Sequence, residues 1–256
     1  MRPVIAAIAA NTLRDAIRNR VLYILVFFAV VMISTSVLLA TLSYVERGRI
    51  LQDVGFGAIR FFGAAIAIFM GVGLIHREVE RRTIYTILSK PVTRAQFLAG
   101  KYLGLLATLW LQMAIMVAAF GVVSLATGAP LGQSHALALG LVALELAVVV
   151  AFATLFSSFA TPFLAACYSV GLYLVGHLTR DLRSLGASSD SATVQQVTLW
   201  IHRVFPDLSA LNRGVEAVHG LPIPLPEAGY SLLMGVAWCL GFLLVAVVVF
   251  ERRDFR

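Results

Sequence analysis

The 256 residues are 60% hydrophobic and only 13% charged, and their formal net charge is +7. Soluble proteins carry about 25% charged residues, so this composition excludes an ordinary soluble domain. The basic residues cluster at the ends of apolar runs, a distribution typical of membrane proteins that argues against a nucleic-acid partner. We therefore predict that residues 1–256 form one all-α, polytopic domain in a lipid membrane.

The N-terminal stretch, 2–20, is predicted to form an interfacial helix. Aliphatic side chains fall near one face of this helix and basic side chains fall mostly on the other, which suits the headgroup layer. A signal peptide is the alternative. The apolar run that follows, 21–42, has 22 residues, whereas the apolar core of a signal peptide has about 7–15. We therefore assign this run as the first membrane span.

Runs of about 18 or more apolar residues mark membrane helices. We predict six such spans, at 21–42, 54–75, 102–126, 135–156, 160–177 and 228–250. The second span is rich in glycine, which favours close packing between membrane helices. A polar loop is expected at 43–53, and Gly and Pro residues predict a break at 127–134.

The longest polar stretch, 178–227, contains its own helical pattern. Apolar residues at helical spacing between Val194 and Phe205 predict one amphipathic helix, and 209–217 is a candidate for a second. We expect two short external helices at the membrane surface. A plain solvated loop is the alternative.

Six spans place both chain ends on one side of the membrane, and the basic residues indicate which side. The N-terminal helix, segment 76–101 and the C-terminal tail together carry thirteen Lys and Arg residues, whereas 43–53 and 178–227 carry six. The more positive side is cytoplasmic. Both termini and segment 76–101 are therefore expected in the cytoplasm.

Segment 76–101, HREVERRTIYTILSKPVTRAQFLAGK, concentrates charge between two spans. A helix is predicted over 77–88, and Pro91 is expected to end it. Thr93 and Gln96 then match a capping box, which predicts the start of a second helix. Such order indicates either a docking surface or a folded but passive connector.

This segment resembles the permease subunits of type-2 ABC exporters, and it is most similar to the branch that includes the nitrous-oxide-reductase maturation permease. One departure is Arg82, where many relatives have a glycine. The residues that carry the resemblance are Glu78, Glu80, Thr83, Leu88, Ser89, Pro91, Val92, Arg94, Gly100 and Lys101.

The resemblance implies that 76–101 holds a coupling helix that docks on a cytoplasmic ABC ATPase. It further implies an assembly in which two permeases lie in the bacterial cytoplasmic membrane and two ATPases bind them. The coupling residues would be Glu78, Glu80, Thr83, Leu88, Pro91 and Arg94. The sequence lacks the phosphate loop G-x-x-x-x-G-K-[ST]. We therefore expect that this chain is not an enzyme and binds no cofactor, while the partner ATPase holds ATP and Mg²⁺.

Two ionisable residues fall inside predicted spans. Arg60 is expected to snorkel or to pair with Asp53 or Glu46. Glu145 lies about 15 Å along its span at 1.5 Å per residue, and Gln112 is a candidate partner at similar depth. Such a group either lines a pathway or makes an interhelical hydrogen bond. All five histidines are expected near span ends or in the outer loop, without a metal site.

Other functions compete with transport of a cargo. A membrane subunit could transmit ATPase motion to a periplasmic partner without carrying cargo, and segment 76–101 serves that function equally well. An intramembrane enzyme would use Glu145 with further acids or histidines, whereas Glu145 is the only acid in the predicted spans. An ion-coupled carrier would show inverted repeats with broken helices, which are not evident.

Overall fold

The computed structural model describes residues 2–40, 46–80, 93–189 and 191–252. Within these ranges the chain is all-helical. The helices are α1 (Arg2–Ile17), α2 (Arg20–Ala40), α3 (Arg47–Glu80), α4 (Arg94–Ala126), α5 (Gln133–Phe159), α6 (Pro162–Ala187), α7 (Ala192–Val204), α8 (Gly214–Val218) and α9 (Leu225–Arg252), with a 3-10 turn at Ser209–Leu211.

Five of these helices are long and apolar enough to cross a membrane, namely α3, α4, α5, α6 and α9. The count rises to six if α1 and α2, which are bent by 64° relative to each other, form one span. A polytopic, all-helical membrane protein is therefore confirmed for the described residues.

Helix α5 lies at the centre of the bundle. From Leu146 to Ala153 every residue of this helix is apolar and at most 2% exposed. A helix that is hydrophobic all round is expected to be surrounded by other helices. Helices α3, α4, α6 and α9 all pack against it.

Glycines allow α3 to approach α5 closely. A Cβ atom added to Gly71 would lie 3.2 Å from the carbonyl oxygen of Val150, and one added to Gly63 would lie 2.7 Å from a methyl carbon of Leu146. Ser157 also donates a hydrogen bond of 2.8 Å to the carbonyl oxygen of Val72. The packing expected from the glycine-rich span is therefore present.

Helices α3 and α6 extend furthest beyond their predicted spans. The loop expected at 43–53 is wrong from Arg47 onward, because α3 begins there and Gln52 donates to the carbonyl oxygen of Ala129 at 3.1 Å. Helix α6 continues through 178–187 instead of ending near His177, because no proline interrupts this stretch. The connection to α9 consequently begins only after Ala187.

Helix α4 begins at Arg94, immediately after the predicted cap. The backbone N–H of Gln96 donates to Oγ1 of Thr93, and the Gln96 side chain accepts from the backbone N–H of Thr93, both at 3.3 Å. The capping box is therefore confirmed. The predicted helix over 77–88 and its end at Pro91 fall largely outside the described residues.

The chain after α7 folds back into the bundle. The helix expected near Val194 is present as α7, whereas the second expected helix is reduced to the 3-10 turn and α8. The backbone N–H of Leu208 donates to the carbonyl oxygen of Gly176 at 3.0 Å. Gly176 lies about 16 Å from the end of α6 at 1.5 Å per residue. We call residues 205–211 the re-entrant segment.

Candidate functional site

Three ionisable side chains meet inside the bundle, one from each of α3, α5 and α6. Nε of Arg60 lies 3.6 Å from Oε2 of Glu145, and Nε2 of His177 lies 3.1 Å from Oε1 of the same carboxylate. Nη2 of Arg60 also lies 2.5 Å from Nε2 of His177. We call these three residues the charged cluster.

The charged cluster lies deep in all three helices. Arg60, Glu145 and His177 are about 20, 18 and 15 Å from the starts of α3 and α5 and the end of α6, respectively, at 1.5 Å per residue. These three helix ends share one end of the bundle, which we call the loop end. The opposite end, where α4 begins and α9 ends, we call the segment end.

Burying the charged cluster costs free energy of desolvation. The Glu145 side chain is 0% exposed, while those of Arg60 and His177 are 19% and 21% exposed. Neither oxygen of Glu145 accepts a hydrogen bond of good geometry from any described residue, so its contacts are those of an ion pair. A buried ion pair is weak evidence for stability, because desolvation opposes the attraction. Charges at such depth in membrane proteins more often mark a functional site.

The imidazole of His177 contacts both the backbone and the ring of Tyr173. Its Nδ1 lies 2.9 Å from the backbone carbonyl oxygen of Tyr173, and its ring centroid lies 4.5 Å from that of the Tyr173 ring. A carbonyl oxygen only accepts hydrogen bonds, so Nδ1 carries a hydrogen. In the neutral ring, Nε2 is then the acceptor and faces Arg60.

The partners of Glu145 differ from those expected. Arg60 pairs with Glu145 and His177, whereas Glu46 pairs with Arg49 at 2.8 Å. Gln112 is buried on α4, and its Oε1 accepts no hydrogen bond from the described residues. It is not among the ion-pair or hydrogen-bond partners of Glu145.

His177 is the member of the cluster that the sequence analysis missed. It was placed at the end of a span, because the apolar run stops there. Helix α6 continues for ten more residues to Ala187, which puts His177 well inside the helix. The uninterrupted helical stretch LTRDLRSL after His177 is the signal that could have revealed this position.

The coupling candidates that the structure describes lie at the segment end. Glu78 and Glu80 belong to the last turn of α3, while Thr83, Leu88 and Pro91 lie outside the described residues. Arg94 is the first residue of α4, and its Nη1 donates to the carbonyl oxygens of Phe250 and Glu251, both at 3.0 Å. Arg94 therefore caps the end of α9, a role the sequence did not suggest.

The start of α4 is anchored on two sides. Phe97 stacks on Phe250 of α9 with ring centroids 6.2 Å apart. On the other side, Gly100 packs against Ile8 of α1, where an added Cβ would lie 2.9 Å from the Ile8 Cβ. Helices α1, α4 and α9 thus form one packed unit at the segment end.

The helices and the charged cluster define a polytopic membrane protein with a polar site between its helices. Within the described residues, no three His, Cys, Asp or Glu side chains gather as metal ligands. Residues 6–255 match the family model described as ABC-2 family transporter protein. The chain therefore belongs to the ABC-2 transporter family and is a permease subunit of an ABC transporter. No curated protein matches the chain.

Proposed function

We propose that this chain is the permease of a type-2 ABC exporter, which couples ATP hydrolysis by a separate cytoplasmic ATPase to movement of a substrate across the bacterial cytoplasmic membrane. Two copies of the chain would assemble with two ATPase subunits, with both termini in the cytoplasm. The family match supports the transport role, and the motif in 76–101 supports the branch that includes the nitrous-oxide-reductase maturation permease.

The coupling part of this proposal rests on the two long helices that flank segment 76–101. The segment joins α3 and α4, which have 34 and 33 residues. Arg60 lies about 30 Å along α3 from Glu80 at 1.5 Å per residue. A displacement of the segment would therefore be carried by α3 to the charged cluster in the middle of the bundle.

Helix α4 would carry the same displacement by a second route. Its first turns are packed against α1 and α9 through Phe97, Gly100 and Arg94. These contacts would make α1, α4 and α9 move together when an ATPase pushes on the segment. The chain lacks a phosphate loop of its own, so ATP and Mg²⁺ would be bound by the partner.

Charge reversal at the end of α3 tests the docking role. The double variant Glu78→Lys/Glu80→Lys should bind the cognate ABC ATPase about ten-fold more weakly or worse, because charge-assisted contacts become repulsive. Binding is measured with the purified chain in lipid nanodiscs. Glu46→Lys, an exposed residue at the loop end, is the matched control and should bind as the wild type does.

The outcomes separate the parts of the proposal. Equal ATPase binding by the double variant and the control would refute docking through 76–101. A wild-type chain that binds no ABC ATPase at all would refute the coupling function. A complex with one copy of each subunit would refute the proposed assembly.

A further inference from the structure

Nε2 of His177 contacts one group that only donates hydrogen bonds and one group that only accepts them. Nη2 of Arg60, 2.5 Å away, belongs to a guanidinium that only donates hydrogen bonds. Oε1 of Glu145, 3.1 Å away, belongs to a group that only accepts them when ionised. Unprotonated Nε2 can accept a hydrogen bond from Arg60 through its lone pair. Protonated Nε2 has no lone pair left and can only donate, to Glu145.

The neutral ring satisfies Arg60. Its single N–H is at Nδ1, which points at the carbonyl oxygen of Tyr173. The lone pair at Nε2 accepts from Nη2 of Arg60. Glu145 is then left with Nε of Arg60 at 3.6 Å as its cationic neighbour. In this arrangement the hydrogen bond of the cluster joins α6 to α3.

The protonated ring satisfies Glu145. A proton from water adds to the lone pair at Nε2. The new N–H donates to Oε1 of Glu145 after the ring and the carboxylate turn toward each other, because their present 3.1 Å contact does not have hydrogen-bond geometry. The N–H groups of Arg60 now face another N–H, so the hydrogen bond between Arg60 and His177 breaks. Arg60 is partly exposed and has a long side chain, which lets it withdraw. The hydrogen bond then joins α6 to α5, and the net charge of the cluster rises from zero to +1.

We propose that His177 is a proton-operated switch, which holds α6 to α3 when neutral and to α5 when protonated. The switch adjoins the re-entrant segment in the chain, because Gly176, the residue before His177, accepts the hydrogen bond from Leu208. Proton uptake would therefore change how α6 is held at the point where the re-entrant segment rests on it. This inference concerns the isolated chain and does not depend on the ATPase.

Two other ionisable groups of the described chain that contact α6 have partners of their own. In the re-entrant segment, Oδ1 of Asp207 accepts from Ser209 at 2.5 Å and from the backbone N–H of Ala210 at 3.2 Å, with Thr179 of α6 at 3.4 Å. From α7, His202 lies 3.2 Å from Nη1 of Arg183. Among the described residues, Arg60 from α3 and Glu145 from α5 are the charged groups that contact the His177 ring.

Histidine NMR of the full chain in lipid nanodiscs tests the switch. The ring nitrogens of ¹⁵N-labelled histidine distinguish the neutral tautomer from the imidazolium, and His177→Gln assigns the His177 signals. Between pH 9 and pH 5 these signals should change from a ring protonated at Nδ1 to the imidazolium. Deuterium exchange of the Nε2 proton provides a second readout of the same change.

Two neutral variants should move this transition in opposite directions. Glu145→Gln removes the acceptor for the imidazolium, so about ten-fold or more additional proton concentration should be needed. Arg60→Gln removes the adjacent positive charge, so about ten-fold less should suffice. His202, which also contacts an arginine but has no carboxylate partner among the described residues, is the matched control, and its transition should stay unchanged in both variants.

The proposal fails if His177 keeps one protonation state from pH 5 to pH 9 in the wild-type chain. It also fails if the two variants leave the transition of His177 unchanged or move it in the same direction. If Glu145→Gln does not fold, the Arg60→Gln variant alone decides the matter, because a structural role for Arg60 would not move the transition.

Discussion

Arg94 donates a hydrogen bond of 3.0 Å to the carbonyl oxygen of Phe250, so the first residue of α4 closes the last turn of α9. The last carbonyl groups of a helix have no partner within the helix and carry partial negative charge. A guanidinium at this position donates hydrogen bonds to these carbonyl groups and places a positive charge beside them. Arg94 is therefore placed to hold the segment end together, whether or not it also contacts an ATPase.

Replacing Arg94 should separate this internal role from docking. Arg94→Ala is expected to lower the free energy of unfolding by about 1–2 kcal/mol, because two carbonyl groups lose a charged donor. Thermal unfolding of the isolated chain in nanodiscs measures the loss. Arg49→Ala, which removes an exposed ion pair with Glu46, should cost less than about 1 kcal/mol. Unchanged stability of Arg94→Ala would mean that Arg94 acts through a partner instead.

Removing the carboxylate of the charged cluster should destabilise the bundle strongly. Glu145→Leu leaves Arg60 without its counter-ion, and breaking a buried pair in this way typically costs about 3–5 kcal/mol. Arg60 is partly exposed, so the lower part of this range is expected. The double variant Arg60→Met/Glu145→Leu should recover most of the loss, because apolar pairs replace buried ion pairs well. A single variant as stable as the wild type in chemical unfolding would contradict this.

Part of the fold could be predicted because its signals are local. The cap of α4 depends on Thr93 and Gln96, which are three residues apart, and both hydrogen bonds are present. The partners of Glu145 could not be predicted from local signals. They depend on where α6 ends and on how α3 and α6 are rotated about their own axes. Neither quantity is encoded within one turn of sequence, so Gln112 was expected where Arg60 and His177 are found.

A glycine pair on α3 tests the close approach to α5. Gly71→Ala should lower the free energy of unfolding by about 1–3 kcal/mol, because its Cβ would lie 3.2 Å from the carbonyl oxygen of Val150 and the backbones must separate. Gly57→Ala on the same helix meets no atom of the described residues within 4 Å and should not destabilise. Thermal unfolding compares the two variants. Equal effects would show that helix propensity, and not packing on α5, sets the cost.

The contact between Gly176 and Leu208 should control whether the re-entrant segment stays in the bundle. A Cβ at Gly176 would lie 2.8 Å from the Leu208 side chain and 3.1 Å from the carbonyl oxygen of Pro206, so Gly176→Val should push the segment outward. Leu211 is 1% exposed in the same segment, so a Leu211→Cys reporter should be nearly inert toward a polar maleimide. The measurement uses a background in which Cys167 and Cys239 are replaced by alanine.

In that background, Gly176→Val should raise the rate of Leu211→Cys labelling by about ten-fold or more, since each 1.4 kcal/mol of destabilisation raises the open population ten-fold. Gly171→Val is the matched control, because a Cβ there meets no atom within 4 Å in the part of the chain that the structure describes. The labelling rate in this control should equal that of the reporter alone. Equal rates in the two valine variants would show that the segment does not depend on Gly176. A rate increase confined to Gly176→Val would establish that α6 holds the re-entrant segment beside the charged cluster.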